Sequence, residues 1–539
     1  MQQLKNRLAF LRLLLVLLFC TAAVYLAWLV QKPELIQTAA RQGTYTCTAG
    51  TARGTIYDRN GVPLVNTKTA CIAVVSPTPA AAEALLSHVT DTAAFYEKLA
   101  QGMPFTCTVD TADIDCPDVT ILQIPQRSTS PQLAQHVIGY TREGSGVAGL
   151  ESAYDAILHS VDSQWSVTFS VDGTGTPLAG EPKQIRYGAN PTAGIMTTLD
   201  SRIQRICESA GSGLEKGCIV VMDVESGDIL GLASFPGYSA DSLGDAVSDP
   251  DSPMIQRALY AYPVGSIFKL VTAACAFDQG VGYNFTWDCD GAISVGTQRF
   301  RCHELQGHGV QHMADAMRSS CNPYFIALGQ ALSGSDLLQT AKSLGFGTEI
   351  MLTSNMIASG GTLPTLQQLK LPAEQANFSF GQGVLTASPL QIARMTCAIA
   401  GDGTLPAVRL VRGVTDDGRT VLREERGIPE SGIAPETAAF LRRLMCYTAA
   451  DEDFQGRPAH VSMGAKTSTA QTGRCDVDGT EYCHGWVTAF FPAEQPLNTV
   501  DITFVCCLCL FVFRSKERTY LRKTQKTDKT ILFKRSGIS

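Results

Sequence analysis

The chain has 539 residues, 45% of them apolar and 17% charged, and its 43 Lys+Arg against 50 Asp+Glu give a formal charge of −7. That length supports two or three domains around at least one large core, and so small a charged fraction excludes a disordered or coiled-coil protein. An acidic balance also excludes nucleic acid as the main partner, because neutralising phosphates needs an excess of Lys/Arg. The charge is unevenly spread. After Phe513 come nine Lys/Arg and two Asp/Glu, a net +7, so the preceding 513 residues carry −14.

At the N-terminus, Lys5, Arg7 and Arg12 precede an uncharged stretch, Leu13 to Val30. Eighteen helical residues reach about 27 Å, close to the thickness of a bilayer's hydrocarbon core. Tyr25 and Trp28 lie near its far end, where aromatic rings favour the interface. Basic residues before the span predict a single-pass anchor in the cell membrane, with everything after Lys32 outside. The rival reading is a cleaved signal peptide, but the stretch is long for one and no small-x-small site follows it.

Residues 53–64, RGTIYDRNGVPL, read as short strands around an Asn60-Gly61 turn. Residues 135–158 read as a glycine-rich loop leading into a helix. From Gly194 a strand is followed by a helix capped by Asp200, then by an apolar hairpin over 217–234. A helix with an apolar stripe begins at Ser266 and is ended by Gly280. Helical patterns return at 311–344 and 386–401, and strand patterns at 461–492. The expected class is α+β, an antiparallel sheet packed by helices. The expected division is an anchor over 1–32, a β-rich domain over 41–190, a second domain over 194–498 and an atypical basic tail over 499–539.

Three short motifs carry chemistry. Ser266-Ile267-Phe268-Lys269 is the only Ser-x-x-Lys in the chain. Gly265 before it and the helical pattern after it place Ser266 at a helix N-terminus, where exposed N–H groups suit a developing anion. Lys269 falls one turn later on the same face, able to take the serine proton if burial or a second cation lowers its pKa. Ser320-Cys321-Asn322 is the only Ser-x-Asn and is expected at a helix–loop junction. Lys466-Thr467-Ser468 lies in an alternating stretch that reads as an edge strand, from which a lysine and a hydroxyl can hold a carboxylate. Each alone is equally compatible with a helix cap, a turn or a surface strand.

Together and in this order, the three resemble the Ser-x-x-Lys, Ser-x-Asn and Lys-Thr-Gly set of penicillin-recognising serine enzymes. The chain resembles the class B, monofunctional penicillin-binding proteins, the D,D-transpeptidases of peptidoglycan. The likeness runs from residue 1 to about 495 through RGTIYDRNGVPL, HVIGY, VVMDVESGDILGLAS, FSFGQGVL and GAKTSTAQ. It implies a pedestal domain over 41–190 and a transpeptidase domain over 194–498. It implies Ser266 as the nucleophile towards a D-Ala-D-Ala stem peptide and Lys269 as its base. Ser320 would relay the proton, Asn322 would hold the substrate amide, Lys466 would supply field and proton contacts, and Thr467 would bind the terminal carboxylate. Backbone N–H groups of Ser266 and Thr469 would form the oxyanion hole. β-Lactam antibiotics would acylate the same serine, and no metal or organic cofactor is implied. The expected partners are stem peptides, the cell membrane, a membrane-bound glycosyltransferase and other wall-synthesis proteins. The alternatives are a catalytically impaired scaffold of the same fold and a β-lactamase or β-lactam sensor.

The chain departs from the family in three places. Ser468 stands where the family has glycine, and its hydroxymethyl group is expected to crowd the substrate. Val264 replaces the usual proline before Gly265. After the HGWVTAFFP strand the composition changes abruptly, as a shift of reading frame would make it; Val500–Phe513 can supply a strand, but no helical pattern follows. Cys289 with Cys302, and Cys475 with Cys483, are candidate disulfides, with reduced thiols as the alternative.

Overall fold

A computed structural model describes residues 2–32, 43–127, 131–160, 163–178, 180–189, 191–282, 284–424, 426–452, 454, 456, 461–475, 479, 481–493 and 504–511. The first element is a single helix, α1 (Gln2–Val30), whose Lys5–Leu29 stretch has a mean hydropathy of 2.3, none of it buried. Among the described residues it is the one helix long and apolar enough to cross a membrane.

The described chain beyond it divides into two compact units, and neither is continuous in sequence. The smaller takes Asn66–Arg127 and Val161–Pro191 together with the residues up to Arg53. It holds two three-stranded antiparallel sheets, one centred on Ser163–Ser170 and one on Lys68–Val75. Trp165, Val167 and Phe169 project from the first into an apolar core with Val74, Leu122 and Ile124, all within this unit.

The larger unit takes Gly54–Val65, Ser128–Ser160 and the chain from Thr192 onward. This corrects the expected uninterrupted 41–190 domain. The strand Thr55–Tyr57 pairs in parallel with Gly194–Thr197, and Val137, Ile138, Leu150 and Leu158 enter the larger core. The expected turn at Asp58–Gly61 forms, with Gly61 at φ +78, but beyond it the second strand shrinks to a single bridge between Tyr57 and Pro63. Asp58 organises the turn: its carboxylate accepts from the N–H groups of Asn60 and Val62 at 2.8 Å and from Ser201 N–H at 3.1 Å.

The main sheet of this unit follows the expected class. The helix α2 (Ser201–Gly211) is capped by Asp200 and leads into β1 (Lys216–Asp223) and β2 (Ile229–Phe235). β2 is buried at every position, and β1 at all but its ends, as in strands covered on both faces. Next come α3 (Lys269–Asp278), ended by Gly280 at φ +70, and α4 (Asn322–Gln330). α5 (Pro389–Ala400) starts at a capping box formed by Ser388 and Gln391, and α6 (Pro435–Ala449) follows. β3 (Gly464–Cys475), β4 (Glu481–Phe491) and β5 (Phe504–Phe511) complete a five-stranded antiparallel sheet in the order β2-β1-β5-β4-β3.

β5 is the strand read within Val500–Phe513, and it brings residues 504–511 of the expected 499–539 tail into the fold. It lies between β1 and β4, with Lys216 opposite Phe511 and Phe491 opposite Phe504. An eight-residue run of Phe, Val, Leu and Cys has the composition of a strand with neighbours on both sides. The basic residues after it lie outside the described residues.

Candidate active site

Gly265–Phe268 form one turn of 3₁₀ helix that runs directly into α3. The turn is fixed from below by Ile267 and Phe268, both fully buried, with the Phe268 ring 4.6 Å from Phe378 and 5.3 Å from Phe346. Ser266, between them and Gly265, is only half-buried. Gly265 sits at φ +62 against β3, where a Cβ would lie 2.4 Å from Ser468 Oγ and 2.9 Å from Ala470 Cβ. Glycine is therefore required twice there, by conformation and by space. Its N–H donates to Gly381 O at 2.9 Å, so the FSFGQG loop holds the turn from another side. The sequence reading quoted that loop without giving it a task.

Lys269, fully buried one turn after Ser266, donates to Ser320 O at 2.7 Å, Ser320 Oγ at 3.2 Å and Asn322 Oδ1 at 2.7 Å. Ser320 is at φ +53, in a conformation that non-glycine residues rarely adopt, just before α4. Lys466, 1% exposed, donates to Ser320 Oγ at 3.1 Å and to Thr467 O at 2.9 Å. One hydroxyl thus stands between two buried amines. Burial drives the pKa of Lys269 well below the usual 10.5, with the Lys466 charge adding to the effect, and burial lowers that of Lys466 to about 7. A neutral Lys269 has two N–H donors for its two 2.7 Å acceptors and keeps a lone pair for a proton.

β3 is an edge strand, as expected, and its alternation sorts the third motif by face. Lys466, Ser468 and Ala470 are buried, whereas Thr467 and Thr469 are exposed. The side chain of Ser468, expected to crowd the substrate, lies on the same buried face as Lys466. Its Oγ turns inward and donates to Val264 O at 2.9 Å, beside Gly265. Val264, the second departure, is itself fully buried. Trp486 on β4 braces the same segment, donating from Nε1 to Pro263 O at 2.9 Å. The structure therefore joins Lys269, Ser320, Asn322 and Lys466 by hydrogen bonds, with Ser266 one turn before Lys269 and with Thr467 and Thr469 on the open face of β3. Neither Cys289 with Cys302 nor Cys475 with Cys483 is bridged.

A half-exposed serine at the head of a buried helix, with a buried neutralisable lysine one turn on, defines an acyl-transfer centre of the Ser–Lys kind, set against the edge of an antiparallel sheet. The model of the penicillin binding protein transpeptidase domain matches residues 217–503, just over half the chain, and the chain belongs to that family. It is 28% identical to stage V sporulation protein D of Bacillus subtilis over 492 residues, covering 84% of this chain and 73% of that protein. It is 26% identical to the peptidoglycan D,D-transpeptidase PbpA of Mycolicibacterium smegmatis over 400 residues, covering 69% and 77%. Among solved structures, that of PBP2 with MreC from Helicobacter pylori matches the fold with a TM-score of 0.60 at 20% identity, over 87% of this chain and 95% of that one.

Proposed function

We propose that this penicillin-binding protein cross-links peptidoglycan through an acyl-enzyme on Ser266. Ser266 Oγ attacks the carbonyl of the penultimate D-Ala of a stem peptide, and its proton passes to Lys269 Nζ. Ser320, between the two lysines, carries a proton to the departing D-Ala nitrogen as the C–N bond breaks. An amine from a second stem then displaces Ser266 and forms the cross-link. Thr467, on the open face of β3, receives the substrate carboxylate, with the Lys466 charge behind it. The carrying observation is the hydrogen-bonded chain from Lys269 through Ser320 Oγ to Lys466. A β-lactam, which presents a strained amide to the same serine, forms a stable acyl-enzyme.

α1 anchors the protein in the cell membrane, with the catalytic unit outside, where peptidoglycan lies. The solved relative paired with MreC supports a place in a wall-synthesis assembly. The test is covalent labelling of the detergent-solubilised chain by a fluorescent penicillin. Stable labelling that disappears in Ser266→Ala is expected. A folded wild-type protein that takes no label would overturn the proposal in favour of a scaffold, and rapid release of the label would indicate a β-lactamase.

A further inference from the structure

Between α3 and Ser320 the chain makes a loop-rich excursion. Before the helix Met313–Arg318, its regular structure is two short pairings, Trp287–Cys289 with Gly309–Gln311 and Ala292–Val295 with Gln298–Arg301. Pairs this small are not stable on their own. Their turns nevertheless bring particular residues to one point. Cys289 ends its strand opposite Gly309, and Cys302 N–H donates to Gly291 O at 2.8 Å. Gly307, at φ +82, packs so closely on Cys289 O that a Cβ would lie 2.0 Å from it. Cys321 arrives from the other side, in the turn before α4.

The Sγ atoms of Cys289, Cys302 and Cys321 and a ring nitrogen of His308 all lie within 4.8 Å of one another. The three cysteines are 1%, 3% and 0% exposed, and His308 is half-buried. A disulfide would use two of the sulfurs and leave a buried thiol and an imidazole stranded. One ion uses all four. Tetrahedral zinc, with bonds of about 2.3 Å to sulfur and about 2.0 Å to nitrogen, places those atoms about 3.6 Å apart. Cys302 Sγ and His308 Nδ1 are 3.5 Å apart.

We propose that Cys289, Cys302, His308 and Cys321 bind one zinc ion in a closed, structural Cys₃His site adjoining the catalytic turn. Three thiolates and an imidazole are soft-to-borderline ligands that select zinc over magnesium or calcium, and four protein ligands leave no position open for substrate. On binding, the three thiols release their protons and the Zn–S bonds replace the S–H bonds. Cys321 is the middle residue of Ser320-Cys321-Asn322, whose flanking polar atoms hold Lys269. A bond from zinc to Cys321 Sγ pins this turn, including Ser320 in its left-handed conformation. The ion is therefore a positioning element for acylation. That second statement rests on the transpeptidase reading, whereas the presence of zinc does not.

The full chain, solubilised in detergent and purified under reducing conditions, is assayed for zinc by mass spectrometry of the metal. About one zinc per chain is expected, falling about tenfold or more in Cys302→Ser. His308→Cys, which restores four ligands, retains the metal. His303→Ala also retains it, because exposed His303, with its Nδ1 3.9 Å from Cys302 Sγ, is outside the set. Replacement by cobalt is expected to give a thiolate-to-metal charge-transfer band and a tetrahedral visible spectrum. A folded wild-type chain without zinc, an unchanged zinc content in Cys302→Ser, or a disulfide among the three cysteines would overturn the site. Removal of zinc by a chelator is expected to slow penicillin acylation at least about tenfold, reversed by added zinc. An unchanged rate would overturn the positioning role. Zinc in a protein that takes no penicillin would leave the ion site standing and overturn the transpeptidase reading instead.

Discussion

The catalytic centre and the excursion between Trp287 and Gln311 meet at Ser320-Cys321-Asn322, yet different physics holds each. The centre is made from the head of α3 and the edge strand β3, elements whose apolar neighbours are wholly buried, so packing both places Lys269 and Lys466 and lowers their pKa values. The excursion has strands of three and four residues and converges only through its turns and its cysteines. Precision at a reacting centre can thus come from burial, which also tunes basicity, or from side-chain ligands, which fix position where regular structure is scarce. The shared turn receives both.

The largest expected effect tests the burial side. Lys269→Ala should slow acylation by fluorescent penicillin about 10²–10⁴-fold, the range for loss of a general base; a rate within tenfold of wild type would remove Lys269 from that role. Gly265→Ala should come next. Its methyl group would meet Ser468 and Ala470 at a positive φ, costing about 2–4 kcal/mol in urea unfolding together with most of the acylation. A stable, active Gly265→Ala protein would mean that β3 does not press on the turn.

Lys466 offers a test by pH. Its folded-state pKa, about 7, lies below the unfolded value near 10.5, so between these limits the unfolded chain binds more protons and stability rises with pH. Wild type should therefore gain on the order of a few kcal/mol relative to Lys466→Met between pH 7 and pH 10, read from chemical unfolding. Parallel curves would contradict the burial. The smallest effect belongs to Ser468→Gly. Loss of the hydrogen bond to Val264 O should cost about 1 kcal/mol in thermal unfolding while acylation changes less than about threefold. A large rise in acylation would return the Ser468 side chain to the substrate cleft.

Much of the centre was legible because Ser266–Lys269 and Ser320–Asn322 are local patterns, whose spacing alone places both ends on one turn. The direction of Ser468 was not, since a motif names a residue and not the face of the strand it occupies. The division of the chain was hidden for another reason. Thr55–Tyr57 finds its partner at Gly194–Thr197, and no local signal announces a pairing across so long a gap. β5 was legible as a strand within Val500–Phe513, but its place between β1 and β4 was not, since composition does not name a strand's neighbours. The Cys and His cluster escaped notice because its ligands are spread over several turns, and only the folded excursion brings them together.

The central position of β5 also sets an order of assembly. Its neighbours β1 and β4 are both made before it, and each must wait with an unsatisfied edge until residues 504–511 arrive and insert between them. Until then β1 and β4 each have an edge without its final partner, the kind of edge that templates pairing with the wrong chain. Among the described residues, the last strand to be made is the one that closes both.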